Sequence, residues 1–354
     1  MNETRRALLS ALESGPVSGP ELAERLGVSR AAVWKQVDSL REDGFEIEPS
    51  PAGYVVRSVP AYGGAAIEFG LDCPYRIEYH DSISSTNDRG RELATAGERD
   101  VAVVADEQTA SRGRRGRTWT APRGGIWCSV VCQPTLPPAR VPIATLAAGV
   151  ATVEACQSVG VDAVLKWPND VLVTADSDRV DADADSDRVD VDASDSTRVN
   201  ADADSDPSTE QGRGGQKLAG ILTEMEGEAD RVSWLLLGVG INANIDSDSL
   251  PPGATSLREQ GGDVDRRSVV QELLCRLSTL LSEPDTVLSR WRTHATTLGQ
   301  RVRVDTGREL IDGTAVDVRY PGALVIETDS GERVVHAGDC EHLRPVSTHS
   351  TDPN

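Results

Sequence analysis

The sequence predicts an α+β chain built from three modules, not a doubly wound α/β domain. Three observations lead there. The strand-like segments 164–173, 217–226 and 232–244 follow one another without a helical pattern between them, as a mixed sheet allows. Residues 1–60 read as three helices and a hairpin, and residues 298–346 as short alternating strands. At 354 residues the chain is long enough for two or three domains with a sizeable core.

At the N-terminus, Ala7, Leu8, Ala11 and Leu12 form one helical face. Ser18-Gly19-Pro20-Glu21 is a capping box opening a short helix with Leu22, Ala23 and Leu26 inward, and Gly27-Val28 makes the turn. Ser29 caps a third helix, expected to bury Val33, Trp34, Val37 and Leu40 and to end near Gly44. A hairpin, Phe45–Ile47 and Tyr54–Val56, closes a winged helix-turn-helix over 1–60. Its third helix would offer Arg30, Lys35 and Arg41 to DNA; a small helical dimerisation module is the alternative. With seven basic and nine acidic residues in 1–60, the DNA reading rests on pattern, not bulk charge.

The second domain, 75–295, alternates strands at 101–107 and 125–133, a long apolar-faced helix at 143–159, the three strands above, and helices at 267–282 and 284–295. It is interrupted at 174–216, where Asp-Ser-Asp-Arg-Val-Asp-Ala-Asp-Ala from Asp176 nearly repeats from Asp185. Thirteen acidic and four basic residues without core-forming periodicity make this an acidic insertion expected to be disordered. Lengthening a hairpin loop that far costs only about 2 kcal/mol of closure entropy. Residues 298–346, with strands at 301–304, 309–318, 323–327 and 333–336, read as a small β-barrel.

The net charge is -21, and of 36 basic residues only Lys35, Lys166 and Lys217 are lysines. Such a surface repels itself in dilute buffer, whereas at about 1 M salt the Debye length is near 3 Å and the repulsion fades. An acidic, lysine-poor chain fits a halophile's cytoplasm. No run of about 18 apolar residues reads as a membrane span, and Met1–Arg6 lacks the apolar run of a secretory signal; we expect a cytoplasmic protein with no membrane contact. The six cysteines are scattered without a CxxC pair and read as buried free thiols.

Chemistry concentrates in five segments. Ser111-Arg112-Gly113-Arg114-Arg115-Gly116-Arg117, with Trp119 behind it, sets guanidinium forks on a pliable backbone. Such a loop can wrap an anion, or serve as a basic tract for nucleic acid. Ser84-Ser85-Thr86-Asn87 precedes a helix and can cap it, or hydrogen-bond a polar uncharged ring. Lys166-Trp167-Pro168-Asn169-Asp170 is a strand broken by proline with a carboxylate at the break, or a turn. Lys217-Leu218-Ala219-Gly220-Ile221-Leu222-Thr223-Glu224 and Gly238-Val239-Gly240-Ile241-Asn242 complete the set. Two of three lysines fall here. In a chain so depleted of lysine, Lys217 is expected to face the reaction, where a compact ammonium can follow charge developing on one oxygen.

In order and spacing, once the insertion is removed, these motifs resemble the bifunctional biotin protein ligases of the biotin operon repressor type. The resemblance covers about 300 residues. It implies a winged helix, a class II synthetase-like central mixed sheet with flanking helices, and an SH3-like C-terminal barrel. It also implies the chemistry: biotin and ATP give biotinyl-5′-adenylate, and biotin passes to a lysine of a biotin carboxyl carrier protein. The resemblance makes Lys217 and Arg114 catalytic. It places Ser85, Thr86, Asn87, Gln108, Arg112, Gly113, Arg114, Lys217 and Gly220 on biotin. Arg114, Arg117, Trp119, Asn169, Asp170, Lys217 and Asn242 fall on ATP or the adenylate, with Asp170 on Mg²⁺. Operator DNA and a homodimer in the adenylate-bound state are the further partners it implies. The family pattern has glycine where this chain has Ser111, so loop closure depends on the backbone there. Lipoate ligases share the catalytic fold but lack the arginine–glycine loop and the winged helix. A non-catalytic biotin-sensing transcription factor would keep the pocket and could lose Lys217 or Asp170.

Overall fold

The computed structural model describes residues 3–134, 137–174, 214–228 and 230–343. Nearly all of the acidic insertion lies outside the described residues, and with it the expectation of disorder.

Helices α1 (Glu3–Glu13), α2 (Gly19–Leu26) and α3 (Arg30–Glu42) precede the hairpin of β1 (Glu46–Ser50) and β2 (Gly53–Ser58). The caps form as their sequence demands. Ser18 Oγ accepts from Glu21 N at 3.3 Å, and Ser29 Oγ from Ala32 N at 3.2 Å. Leu8, Leu12, Leu22, Val33, Val37, Leu40 and Phe45 close a separate small core. Two expectations fail. Trp34 is 55% exposed, not buried. At about 100° per residue it sits roughly a quarter-turn off the stripe of Val33, Val37 and Leu40. Arg41 is not free for DNA: its Nε and Nη2 donate to the carbonyl of Ile47 at 3.0 and 2.7 Å, tying α3 to the wing. Arg30 and Lys35 are exposed.

The short helix α4 (Gly64–Glu68) joins this domain to the central sheet. Buried Glu68 receives Arg6 Nη2 at 3.0 Å from α1 and Ile77 N at 2.9 Å from β3. The sheet has seven strands in the order β3-β4-β5-β9-β8-β7-β6. They are β3 (Arg76–His80), β4 (Val101–Ala105), β5 (Ile126–Cys132), β6 (Ala163–Lys166), β7 (Asp170–Val173), β8 (Gln216–Gly227) and β9 (Val232–Ile241). Only β3 and β4 run parallel, so the sheet is mixed. Along β4, Ala102 and Val104 face the main core while Val101 and Val103 face a second cluster under α5 (Thr86–Thr95). Helices cover both faces, which is why β4 reads Val-Ala-Val-Val-Ala without alternation. The stretch 164–173, expected as one strand, is a β6–β7 hairpin with Trp167-Pro168-Asn169 at its turn, because proline cannot donate to a ladder.

Helix α6 (Pro142–Gln157) lies on the main-core face with α8 (Arg266–Ser282) and α9 (Val287–His294), after the short α7 (Leu257–Gly261). Pro138–Gln157 is long and apolar enough by composition to cross a membrane, but most of it is buried here as a core helix. The C-terminal domain is a five-stranded antiparallel sheet, β13-β12-β11-β10-β14. Its strands are β10 (Arg301–Asp305), β11 (Leu310–Arg319), β12 (Ala323–Thr328), β13 (Gly331–Val335) and β14 (Asp339–His342). It docks on the hairpin turn, where Trp167 N donates to Thr297 Oγ1 and Trp167 Nε1 to the carbonyl of Gly322, both at 2.9 Å. All six cysteines are free thiols, but Cys73 and Cys275 are only half-buried, against the expectation; burial pushes the thiol pKa of Cys128, Cys132, Cys156 and Cys340 up to about 12.

Candidate active site

A cavity of about 670 Å³ opens between β8 from Lys217 to Glu224, the carboxyl end of β9, the start of α5, the arginine–glycine loop and β14. Every residue singled out above for small-molecule chemistry lines it.

The polar wall starts at α5. Ser85 is the N-cap, accepting from Asp88 N at 3.3 Å, so the capping reading of this motif holds too. Thr86 and Asn87 are buried, and they are held by groups from neighbouring strands. Gln108 Oε1 accepts from Thr86 N at 2.7 Å. Ser129, fully buried on β5, is 2.7 Å from Thr86 Oγ1 and donates to Asn87 Oδ1 at 2.6 Å. Asn87 Nδ2 donates to Glu224 on β8 at 2.9 Å. Gly238 makes room: a Cβ there would stand 2.3 Å from Asn87 Oδ1.

The arginine loop is pinned at its neck and along its arms. Ser111 keeps an ordinary backbone, absent from the positive-φ residues, and its Oγ donates to the carbonyl of Trp119 at 2.6 Å. Serine at this position, where the resemblance leads one to expect glycine, braces the neck of the loop. Arg115, at φ +56°, takes the left-handed bend. Arg112 pairs with Asp88. Arg114 donates to Asn169 Oδ1 at 2.8 Å and to the carbonyl of Gly338 at 2.9 Å. Its burial pushes the guanidinium pKa down, partly offset by Asp339 and Asp170. Arg115 and Arg117 both reach Asp339 of β14, at 3.1 and 2.6 Å. With Arg114 Nη1 at 3.6 Å from the same side chain, three guanidiniums converge on one carboxylate at the cavity rim.

Opposite the loop, Lys217 Nζ stands 2.6 Å from Asp170 Oδ1 and 5.1 Å from the centre of the Trp119 ring. Gly220 leaves space for that ring, since a Cβ would meet it at 3.2 Å. Trp119 Nε1 is buried without a hydrogen-bond partner, an open donor in the wall. Two carboxamides are already engaged. Asn242 Nδ2 donates to the carbonyl of Thr255 at 3.0 Å and fastens the start of β8, while Asn169 Nδ2 donates to that of Ile221 at 3.0 Å. Among the described residues no group of three or more His, Cys, Asp or Glu side chains forms a metal cage.

Sequence reasoning missed Asp339, Ser129 and Glu224. Asp339 opens a strand too short to show alternation, and Ser129 sits in an apolar run where one serine reads as filler. Glu224 closes a segment already singled out, and its charge in a buried strand was a usable signal.

Comparison with known proteins agrees with this arrangement. Residues 79–242 match the biotin/lipoate A/B protein ligase family, residues 4–55 an HTH domain, and residues 297–343 the biotin protein ligase C-terminal domain. The chain is 32% identical to the bifunctional ligase/repressor BirA of Bacillus spizizenii over 94% of its length and 96% of that protein. It is 28% identical to BirA of Escherichia coli K12, over 91% and 92%. Among solved structures, the biotin protein ligase of Aquifex aeolicus in complex with biotin and ATP shares the fold at TM-score 0.56 and 24% identity, over 75% of this chain and 99% of that one. Sequence, domain order and fold together place this chain in the biotin protein ligase family, in the form that carries a helix-turn-helix domain ahead of the ligase core.

Proposed function

We infer that the chain activates biotin with ATP to biotinyl-5′-AMP, transfers biotin to a lysine of a carboxyl carrier protein, and represses transcription in response to biotin. The observation that carries the catalytic reading is the Lys217–Asp170 pair, at 2.6 Å, in one cavity with Arg112, Arg114 and Arg117 on one side and Thr86 and Gln108 on another.

Biotin's carboxylate is a poor electrophile at neutral pH. Its attack on the α-phosphate of ATP forms the P–O bond of a mixed anhydride and expels pyrophosphate. Two anions must meet for this, and the cavity supplies cations for both. Lys217 is placed by Asp170 to follow the charge that develops on the attacked phosphate. Arg112 and Arg114 close over the intermediate, and Arg117 exchanges Asp339 for the nucleotide phosphates. Ser85, Thr86, Asn87 and Gln108 satisfy the ureido ring, whose polar groups need partners once buried. The closed loop keeps water from the anhydride. In the second step the carrier's lysine ε-amine attacks the acyl carbon, an amide forms, and AMP leaves with the bonding pair.

Mg²⁺ binds typically through one or two carboxylates plus substrate phosphates, so Asp170 alone fits as its protein ligand; the ion would neutralise phosphate charge. Homodimerisation with the adenylate bound, operator DNA met by Arg30 and Lys35, domain limits at 1–60, 75–295 and 298–346, a cytoplasmic location, and a halophilic archaeal source are parts of the same reading.

Biotin-dependent exchange of labelled pyrophosphate into ATP tests the first step. We expect exchange with biotin and none with lipoate. Exchange driven by lipoate would move the chain to the lipoate ligases, and biotin binding without exchange would make it a sensor.

A further inference from the structure

The polar wall of the cavity contains a hydrogen-bond chain whose direction is set from outside. Three contacts link four oxygens. Gln108 Oε1 is 3.1 Å from Thr86 Oγ1, Thr86 Oγ1 is 2.7 Å from Ser129 Oγ, and Ser129 Oγ is 2.6 Å from Asn87 Oδ1. The amide of Gln108 is oriented by Thr86 N, which donates to its Oε1 at 2.7 Å.

At the other end stands Glu224. Burial alone would raise its pKa, but hydrogen bonds from Asn87 and Arg91 outweigh this and hold it below the usual carboxylate range. It is ionised at neutral pH. A carboxylate only accepts, so Asn87 must turn its Nδ2 toward Glu224, at 2.9 Å, and its Oδ1 toward Ser129. Arg91 holds the second carboxylate oxygen and fixes that side chain in place.

The chain therefore ends in acceptors at both Gln108 and Asn87. Between them lie two hydroxyls, with two protons for three contacts. Ser129 must give its proton to Asn87. Thr86 spends its proton on either Ser129 or Gln108. In both arrangements Thr86 has none to offer the cavity. We propose that Glu224 sets the hydrogen-bond direction of this wall and so leaves Thr86 Oγ1 with no donor from the protein, a vacancy that a ring N–H of the bound ligand fills. This rests on the reading of the cavity as the biotin site. Glu224 is a positioning residue, acting on the ligand through Asn87 and Ser129, and it selects a ring bearing N–H over one bearing a bare acceptor at that position.

The isosteric substitution E224Q tests the proposal. Arg91 would keep the glutamine oxygen, so the glutamine NH₂ would face Asn87. Asn87 would then flip and donate to Ser129, Ser129 would donate to Thr86, and Thr86 to Gln108. All three contacts would hold a proton without the ligand, and Thr86 would lose its unshared demand for a donor. Binding is measured calorimetrically on the full chain with biotin and with an analogue carrying a ring oxygen in place of one ureido N–H. We expect E224Q to weaken biotin about tenfold, as the loss of one good hydrogen bond would. The analogue should change by less than about twofold, so that the preference for biotin collapses. The KM for ATP at saturating biotin should stay within about twofold of wild type. Equal weakening of both ligands would mark Glu224 as mere support for the wall, and unchanged biotin affinity would remove its role; either result overturns the proposal. Wild-type protein that binds no biotin would defeat the site assignment, and the proposal with it.

Discussion

Gly238 shows how closely single atoms set the site. Nothing larger than hydrogen fits beside Asn87 there. Gly238→Ala should displace that side chain and raise the KM for biotin about tenfold or more while the KM for ATP changes little, which steady-state kinetics will show. His342 makes a prediction about pH. Burial, with Lys166 adding to it, pushes the imidazole from 6.5 down to about 3. It is held neutral, its Nε2 being 3.2 Å from Thr297 Oγ1, the group that also accepts from Trp167 N at 2.9 Å. A pKa depressed by folding means that the unfolded chain binds the proton first. Stability is therefore full above about 6.5 and falls with pH from there toward 3. His342→Gln should lose less melting temperature than wild type between pH 7.5 and 5; an identical loss would show that this histidine is not a source of the acid sensitivity. Residue identity was the most legible level. Lys217, Asp170 and Thr86 stood out by residue type and order, Gln108 through the family resemblance, and the structure brings all four to one cavity. The partners Ser129, which meets Thr86, and Asp339, which meets the loop arginines, were not legible, because they come from strands distant in sequence.

At the scale of elements, the arginine loop and β14 form a clasp. Asp339 takes Arg115 and Arg117, with Arg114 at 3.6 Å, so the loop is drawn over the cavity by an anion of the protein itself. These pairs are partly exposed and individually weak. Their joint effect is geometric. Asp339→Asn should loosen the loop, so trypsin should cut within 112–117 faster than in wild type, and biotin with ATP should slow that cleavage in both proteins. A cleavage rate unchanged by Asp339→Asn would mean that the loop is held by its other anchors, at Ser111, Asp88, Asn169 and the Gly338 carbonyl. The helices and strands were legible from periodicity and caps, as Ser18 and Ser29 illustrate. Trp34 was misplaced because an apolar residue was assigned to a stripe from which helical geometry excludes it. The 164–173 hairpin was misread because a proline break looks the same in sequence whether the chain kinks or reverses.

At the scale of the molecule, a net charge of -21 bears on everything the cavity does. Insertion 174–216 lies in sequence between β7 and β8, the strand that carries Lys217, and holds thirteen acidic and four basic residues. We predict weak ligase activity in dilute buffer and recovery in molar KCl, where the Debye length falls to about 3 Å. Equal activity in both would refute the high-salt reading and leave the enzyme intact. Domain order was legible because each module has its own period, helical, mixed and alternating. How the C-terminal sheet reaches the cavity was not, since β14 is only four residues long, yet Asp339, Cys340 and Glu341 from it line the cavity. The central claim is that Lys217, set by Asp170, makes a phosphate of bound ATP attackable by biotin. It is tested most directly by quenching one turnover of enzyme, biotin and ATP labelled on the α-phosphate, in wild type and Lys217→Ala. Stoichiometric biotinyl-5′-AMP is expected in wild type, and in the variant a rate lowered about 10²- to 10³-fold with biotin still bound. Adenylate forming at the wild-type rate without this lysine would contradict it.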